Sequence, residues 1–212
     1  MDEVILRRRD DGAMELRVNG VFVMDDVETS SERVLARTAL DVGARCVLVG
    51  GLGLGYTTAE LLADPDVERV VVAELHGEVV EWMRDGTIPG AHLLDDDRLD
   101  VVVGDVRAVV ADQPEGSLDA IVLDVDNGPD FLVHEGNRHV YGSDFVATCA
   151  ARLRPGGLMA VWSMADSAAL RASMAEHLRA VRAEPEPVDI QGRREHYWVI
   201  SGHRGEDATR GR

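Results

Sequence analysis

The feature that most constrains the fold is an alternation of short apolar runs with helical segments, which begins at residue 46. The apolar runs are continuous, as expected for strands that are buried on both faces of a sheet. Their alternation with helices favours an α/β fold: a mostly parallel sheet with helices on both faces. The runs are Cys46–Val49, Val70–Ala73, Val101–Val103, Ala120–Leu123 and Leu158–Trp162, and the helical patterns are Thr57–Ala63, Gly77–Arg84, Val106–Asp112, Ser143–Leu153 and Ser167–Val181.

Two further extended runs complete a predicted sheet of seven strands. They lie around Val188–Gln191 and His196–Ser201 and are expected to form an antiparallel hairpin at the sheet edge. The polar tail that follows, residues 203–212, is predicted to be disordered.

The N-terminal segment carries two strong turn signals, Asp11-Gly12 and Asn19-Gly20. Both dipeptides supply the positive φ angles that two-residue hairpin turns need, so residues 1–28 are predicted to form a short β-meander. The sequence from Thr29 to Glu32 then has the form of a capping box, which predicts the start of a helix. Residues 29–202 are expected to form one α/β domain.

The loop after the first strand of that domain is rich in glycine. Gly50, Gly51, Gly53 and Gly55 permit a tight turn and a close approach of a ligand to the backbone. Glu74 ends the next strand, about 20 residues on, where nucleotide-binding folds place the carboxylate for the ribose hydroxyls. The alternative is that the glycines serve packing alone and that Glu74 is a solvated residue at a helix start.

The spacing of the loop glycines also bears on the nucleotide. A dinucleotide fold uses G-x-G-x-x-G to seat a pyrophosphate on a helix N-terminus, whereas here the spacing is G-x-G-x-G. The loop contains no Arg or Lys to meet a phosphate. A nucleotide without phosphate, of the S-adenosylmethionine type, therefore fits better.

A further acidic residue, Asp105, follows the third strand. Its side chain is placed to accept a hydrogen bond from the exocyclic amine of an adenine. Aspartate also suits the N-cap of the helix that follows, and the two interpretations stay open together.

The segment after the fourth strand is the candidate catalytic loop. Asp124, Asp126 and Asp130 lie at the carboxyl end of that strand, where open α/β sheets bind their ligands. Such carboxylates hold an ammonium group and accept its proton as the nitrogen attacks an electrophilic carbon. Asp124 is nearest the strand end and is the favoured base. The alternative is an acidic turn that only caps helices.

The residues that follow this loop, together with Trp162, are candidates for the surroundings of the site. The stretch from His134 to Asn137 and Tyr141 are candidates for lining the pocket or forming a lid, whereas Trp162 is assigned to the core. No second His or Cys stands at ligand spacing from His134, so no metal site is predicted.

Charge and cysteine content exclude other classes of function. The net charge is -17, with 39 acidic and 22 basic residues, which disfavours a nucleic-acid partner. The same charge favours a cationic substrate, although it equally serves solubility. Cys46 and Cys149 lack metal spacing and predict reduced thiols in a cytoplasmic protein. No apolar stretch approaches the ~20 residues of a membrane span, and the N-terminus does not read as a signal peptide.

These motifs together resemble the spermidine synthase family of aminopropyltransferases over nearly the whole chain. The resemblance is carried by the glycine loop at Val47–Gly51, the ribose acid in Val71–Leu75, Gly104-Asp105, and the Asp-rich loop at Asp124–Pro129. Tyr141 stands where the family has an aromatic residue after that loop.

The resemblance implies a Rossmann-like methyltransferase fold preceded by the small meander. It implies decarboxylated S-adenosylmethionine as the donor, with methylthioadenosine as product. Asp124 would be base and ammonium anchor, with Asp126 and Tyr141 as further catalytic residues. Gly53 differs from the family, whose loop carries an aspartate there for the donor's amine. The stretch from Met24 to Glu32 corresponds to the one with which the family offers Gln and Tyr-His to the polyamine.

Three functions are therefore predicted as alternatives. The first is aminopropyl-type alkylation of an amine, with a polyamine-type acceptor. The second is methyl transfer from S-adenosylmethionine to a small molecule, and the third is a non-catalytic nucleotide-binding homologue. The exposed edge of the N-terminal strands further predicts a homodimer.

Overall fold

The computed structural model describes residues 2–132, 135–190 and 193–206, and the structural statements that follow concern these ranges. A small antiparallel sheet opens the chain, in the order β1-β2-β3, and confirms the predicted meander. At its second turn, Asn19 and Gly20 have φ angles of 52° and 77°, the positive values that the dipeptide predicted. The strands are β1 (Val4–Arg8), β2 (Met14–Val18) and β3 (Val21–Asp25).

A seven-stranded sheet forms the body of the described chain, as the sequence predicted. Its strands are β4 (Cys46–Gly50), β5 (Arg69–Glu74), β6 (Leu99–Val103), β7 (Leu118–Leu123), β8 (Leu153–Ser163), β9 (Arg179–Ile190) and β10 (Arg193–His203). Their spatial order is β6-β5-β4-β7-β8-β10-β9. The first five are parallel neighbours, and β10 runs antiparallel to both β8 and β9. The chain order therefore reverses at β4, where β5 lies on one side and β7 on the other.

The helices cover both faces of this sheet. They are α1 (Ser30–Leu40), α2 (Tyr56–Leu62), α3 (Gly77–Arg84), α4 (Val106–Ala111), α5 (Ser143–Arg152) and α6 (Ala168–Ala175), with 3-10 helices at Ala91–Asp95 and Glu135–Tyr141. One apolar cluster buries side chains of α1, α2 and α3 with Met14 and Leu16 of the meander. The second buries side chains of α4, α5 and α6 on the opposite face. The meander thus packs on the α1–α3 side of the sheet.

The end of α6 corrects a sequence prediction. The helical pattern was expected to continue to Val181, but the helix ends at Ala175. The amide of Leu178 still bonds the Met174 carbonyl at 2.7 Å, and Ala180 then adopts a positive φ of 53°. Strand β9 begins at Arg179, so the chain leaves the helical path between Ala175 and Arg179, which the alanine-rich pattern did not reveal because alanine is the strongest helix former.

The predicted capping box does not form. Thr29 precedes α1, but its side chain makes no capping hydrogen bond. Glu32 instead accepts a hydrogen bond from the Ser31 hydroxyl at 2.9 Å.

The start of the predicted tail also differs. His203 pairs with Leu158 in the sheet, and the Arg204 amide donates to the Gly157 carbonyl at 2.8 Å. The remainder of the predicted tail, residues 207–212, lies outside the described residues. Across the described ranges, none of the helices combines the length and the apolar character that crossing a bilayer requires.

Candidate functional site

A cavity lies at the carboxyl ends of the parallel strands, beneath the N-terminal meander. It contains about 1110 Å³ of empty space, its open mouth included. Apolar side chains of β2 and β3 cover it, among them Leu16, Val23 and Met24. Six of the predicted site residues line it: Gly51, Gly53, Glu74, Asp105, Asp124 and Asp126. The ends of β4, β5, β6 and β7 therefore meet at one place, as the topology of an open sheet requires.

Gly51 joins the glycine loop to the acidic loop. Its φ is 93°, and a Cβ at this position would overlap the carbonyl oxygen of Asp124. The Asp124 amide in turn donates to the Gly50 carbonyl at 2.8 Å. Only glycine allows this approach, so the position of Asp124 depends on the backbone of the glycine loop.

Gly53 has a different neighbour. Its φ is 52°, and an added Cβ would lie 2.6 Å from the sulfur of Met24. That sulfur accepts a hydrogen bond from the Leu54 amide at 3.3 Å. Met24 therefore occupies the space that a side chain at position 53 would need.

Gly50 and Gly55 were predicted to bind the nucleotide but do not line the cavity. A Cβ at Gly50 would come within 2.9 Å of Leu123, and one at Gly55 within 2.9 Å of Met83. Both glycines therefore serve close packing around the loop, and a direct contact with the nucleotide stays a prediction.

Glu74 is buried and held at both carboxylate oxygens. The amide of Leu52 donates to Oε2 and that of His76 to Oε1, each at 2.8 Å. With 6% of its surface exposed, Glu74 is not the solvated residue of the alternative interpretation. Each carboxylate oxygen keeps further lone-pair capacity, which suits the two neighbouring hydroxyls of a ribose.

Asp105 caps α4, as one of its two interpretations predicted. Its Oδ1 accepts from the Arg107 amide at 2.8 Å, and the Arg107 guanidinium lies 2.6 Å from Oδ2. The side chain also lines the cavity. A contact with adenine remains a prediction that this geometry permits.

Asp126 holds the acidic loop in shape. It is 5% exposed, and its oxygens accept from the Asn127 amide at 2.8 Å and from Asn137 Nδ2 at 2.9 Å. The same Asn137 nitrogen donates to the Val125 carbonyl at 3.2 Å. Asn137 was one of the suggested lining residues and does line the cavity, whereas His134 lies outside the described residues.

Asp124 is chemically different from its neighbours. Within the described ranges, no group donates a hydrogen bond to its carboxylate, which opens on the cavity. Burial in the cavity wall raises the pKa of Asp124, and the nearby Glu32 carboxylate raises it further. A carboxylate with a raised pKa is suited to accept a proton near neutral pH.

Glu32 is a site residue that the sequence analysis missed. It lies on α1, is 7% exposed and lines the cavity on the side of the meander. Burial raises the pKa of Glu32, and the charges of Glu28 and Asp25 add to the effect. The capping-box pattern hid it, although the resemblance had pointed to the stretch from Met24 to Glu32.

The predictions for the two aromatic residues, Trp162 and Tyr141, compare differently with the structure. Trp162 was assigned to the core, but it lines the cavity as well as packing edge-on against Tyr197, with ring centroids 4.7 Å apart. Tyr141 is buried in the apolar cluster behind the acidic loop and is not part of the cavity lining. Burial raises the pKa of Tyr141, and Asp126 and Asp124 contribute further. Its catalytic role stays a prediction.

The raised pKa of Asp124 predicts how stability varies with pH. A raised folded-state pKa means that the folded protein favours the protonated form, so this stabilisation is complete below the ordinary pKa of 3.8. It is lost as pH rises through the raised pKa. We therefore expect the wild type to lose stability relative to Asp124→Asn across this window, by at most about 1.4 kcal/mol per pH unit. Urea denaturation at a series of pH values measures this, and parallel curves for the two proteins would contradict it.

The sheet order and the cavity define a class of protein. A glycine loop after β4, an anchored carboxylate at the end of β5 and an acidic loop after β7 are the arrangement of a nucleotide-binding protein with a Rossmann-like methyltransferase fold. Residues 33–183 match the family model described as the spermine/spermidine synthase domain. The chain therefore belongs to the spermine/spermidine synthase domain family.

Individual relatives agree with this assignment. The chain is 35% identical over 161 residues to a polyamine aminopropyltransferase of Mycobacterium tuberculosis, with 74% of this chain and 30% of that protein covered. It is 32% identical to the polyamine aminopropyltransferase of Nitrosomonas europaea, with coverage of 69% and 44%. A putrescine N-methyltransferase of Nicotiana tabacum is 28% identical, with coverage of 70% and 36%. The matches thus span about a third to under a half of the length of these curated relatives.

Solved structures share the fold. A crystal structure of spermidine synthase in complex with the transition-state analogue AdoDATO superimposes with a TM-score of 0.82 at 17% identity, and 98% of this chain and 72% of that chain are covered. Spermidine synthase from Thermotoga maritima gives a TM-score of 0.78 at 16% identity, with coverage of 98% and 70%.

Proposed function

We propose that this protein transfers an aminopropyl group from decarboxylated S-adenosylmethionine to an amine, with a polyamine-type acceptor. The observation that carries the proposal is the Asp124 carboxylate, which faces the cavity without a hydrogen-bond donor among the described residues. It lies at the end of β7, held against Gly51 of the loop that supports the nucleotide. An incoming neutral amine supplies the N–H donors that this carboxylate lacks, and the positive charge that develops on its nitrogen during attack lies beside the carboxylate.

The reaction requires little covalent chemistry from the protein. The nitrogen lone pair of the acceptor attacks the propyl carbon attached to the sulfonium. The new C–N bond forms as the C–S bond breaks, its electron pair goes to sulfur, and methylthioadenosine leaves. The nitrogen becomes positively charged and gives a proton to Asp124. Because the sulfonium carbon is already activated, alignment and proton acceptance supply most of the catalysis.

The nucleotide-binding half of the cavity supports the same proposal. Glu74 presents a fixed carboxylate to the ribose hydroxyls, and Asp105 lies at the next strand end for the adenine. Leu75 and Val106 add apolar surface beside them. Adenosine, which has hydroxyls, a flat apolar base and no phosphate, fits these groups.

A second candidate is methyl transfer to an amine, and one observation favours it. The position at which the resemblance places a carboxylate for the donor's amine is Gly53, and Met24 occupies the space beside it. The loop is therefore compatible with S-adenosylmethionine, whose own carboxylate a loop aspartate would repel.

Binding and turnover with the two donors test the proposal. We expect calorimetry to show tighter binding of decarboxylated S-adenosylmethionine, and mass spectrometry to show an acceptor enlarged by an aminopropyl group. Preference for the carboxylated donor with a methylated product would replace the proposal with methyl transfer. Nucleotide binding without turnover on any of a panel of diamines and polyamines would support the non-catalytic alternative.

We further infer a homodimer in the cytoplasm. The outer strand β1 has an unpaired edge in the described chain, and Ile5, Val21 and Phe22 of the meander are 38 to 45% exposed. Apolar side chains beside an open edge favour pairing with a second copy. Both Cys46 and Cys149 are free thiols, which suits a reducing compartment.

Sedimentation velocity tests the oligomeric state. We expect a dimer for the wild type and a shift toward monomer for Ile5→Lys, because a lysine on an edge strand opposes pairing. A profile of monomer alone at micromolar concentration would contradict the prediction.

A further inference from the structure

We propose that Glu32 is a second substrate-binding carboxylate, which together with Asp124 binds the primary ammonium group of a substrate. The inference rests on the proposed function and concerns the same cavity. It assigns to α1 the anionic group that the glycine loop lacks at Gly53.

The first argument is position. Glu32 and Asp124 both line the cavity, Glu32 from α1 and Asp124 from the end of β7. Both therefore border the same space, and the negative charge of Glu32 is one cause of the raised pKa of Asp124. Two carboxylates brought together in a largely apolar cavity repel each other unless a cation or a proton lies between them.

The second argument is the supply of hydrogen-bond donors. Glu74 has both oxygens occupied by backbone amides, and Asp126 by Asn127 and Asn137. Asp124, by contrast, has no donor among the described residues. Glu32 accepts from its own backbone amide and, at Oε2, from the Ser31 hydroxyl at 2.9 Å, and neither donor carries a positive charge. A primary ammonium group carries three donors and a positive charge, and so satisfies both carboxylates.

An independent observation comes from Trp162. This residue lines the same cavity with 7% of its surface exposed, so part of its side chain borders the space that a bound ammonium group would occupy. The indole ring also attracts a cation beside it.

The loop itself explains why the ammonium needs a carboxylate from α1. A side chain at position 53 would meet the sulfur of Met24, which is fixed by the Leu54 amide. At this position the cavity is therefore lined by the thioether of Met24, which belongs to β3. The negative charge that complements the ammonium group is therefore supplied by Glu32. The nearby carboxylates of Asp25 and Glu28 add to the negative potential around it.

The substitution Glu32→Gln tests the proposal, because it keeps the shape of the side chain and removes its charge. We expect the KM of the ammonium-bearing substrate to rise about 10- to 100-fold, the loss typical of a charged hydrogen bond. A rise confined to the KM of decarboxylated S-adenosylmethionine assigns the bound ammonium to the donor. A rise confined to the KM of the amine assigns it to the acceptor.

Two controls separate this effect from a loss of structure. Asp41→Asn removes an equal charge at the other end of the same helix, at an exposed residue outside the cavity lining, and its KM values are expected to stay within twofold of the wild type. Methylthioadenosine has no ammonium group, so its affinity for Glu32→Gln is expected to be unchanged. Unchanged KM values in Glu32→Gln, or equal effects in the two variants, would overturn the proposal.

Calorimetry keeps the test independent of turnover. If the wild type transfers no aminopropyl group, the proposed function fails, whereas the Glu32 assignment is still measured by binding of decarboxylated S-adenosylmethionine and of 1,4-diaminobutane. Weakening of either ligand by at least tenfold in Glu32→Gln supports the assignment. Equal affinities of wild type and variant for both ligands overturn it.

Discussion

The substitution Asp124→Asn is expected to lower kcat/KM for amine alkylation by about 10²- to 10⁴-fold, the range typical of losing a general acid or base. Asparagine keeps the size of the side chain but neither accepts the proton of the attacking nitrogen nor balances its charge. Release of methylthioadenosine in steady-state assays measures the effect. Because the Asp124 carboxylate accepts no hydrogen bond from the described residues, the fold is expected to tolerate the change.

A matched control lies in the same loop. Asp130 is exposed and is not part of the cavity lining, so Asp130→Asn removes an equal charge without touching the site. We expect it to retain nearly full activity. An Asp124→Asn variant that kept more than a tenth of the wild-type kcat/KM would contradict the assignment of Asp124 as the base.

Gly51→Ala is expected to lower the free energy of unfolding by about 2–6 kcal/mol. A residue other than glycine at a φ of 93° costs about 1–3 kcal/mol, and the overlap of the new Cβ with the Asp124 carbonyl adds a comparable amount. Any relaxation of this overlap displaces Asp124, so the surviving folded protein is also expected to lose activity. Urea denaturation and steady-state assays measure the two effects.

Gly86→Ala isolates the contribution of the overlap. Gly86 has a φ of 81°, but an added Cβ there would have no atom within 4 Å. Its substitution therefore introduces the backbone strain alone, which costs about 1–3 kcal/mol, and leaves the cavity intact. Equal destabilisation by the two substitutions would show that the contact between Gly51 and Asp124 is not tight.

Much of the fold was predictable because its signals are local. The continuous apolar runs mark strands covered on both faces, and the helical patterns between them require parallel pairing. Asn19-Gly20 forms the predicted two-residue turn with positive φ at both residues, whereas the loop at Asp11-Gly12 spans residues 9–13 and has a positive φ only at Gly12. Errors arose where competing local preferences were close in energy, as at the end of α6, where the helix stops at Ala175 although the helical pattern continues.

The candidate site was predictable in part for the same reason. Glu74, Asp105 and Asp124 each follow a strand, and the carboxyl ends of parallel strands necessarily meet at one edge of the sheet. Their convergence on the cavity follows from strand order. Glu32 and Met24 follow no strand of that sheet's parallel part, so this rule did not identify them.

By itself, the sequence determined the alternation of strands and helices, the glycine loop and the acids at the strand ends, because each depends on residues close together in the chain. Only the tertiary structure decided which side chains close the cavity. The meander folds back over the strand ends, so that Met24 meets Gly53, and α1 places Glu32 in the lining of the cavity that Asp124 also lines. Such contacts depend on how distant apolar surfaces pack, and no local pattern in the chain records that energy.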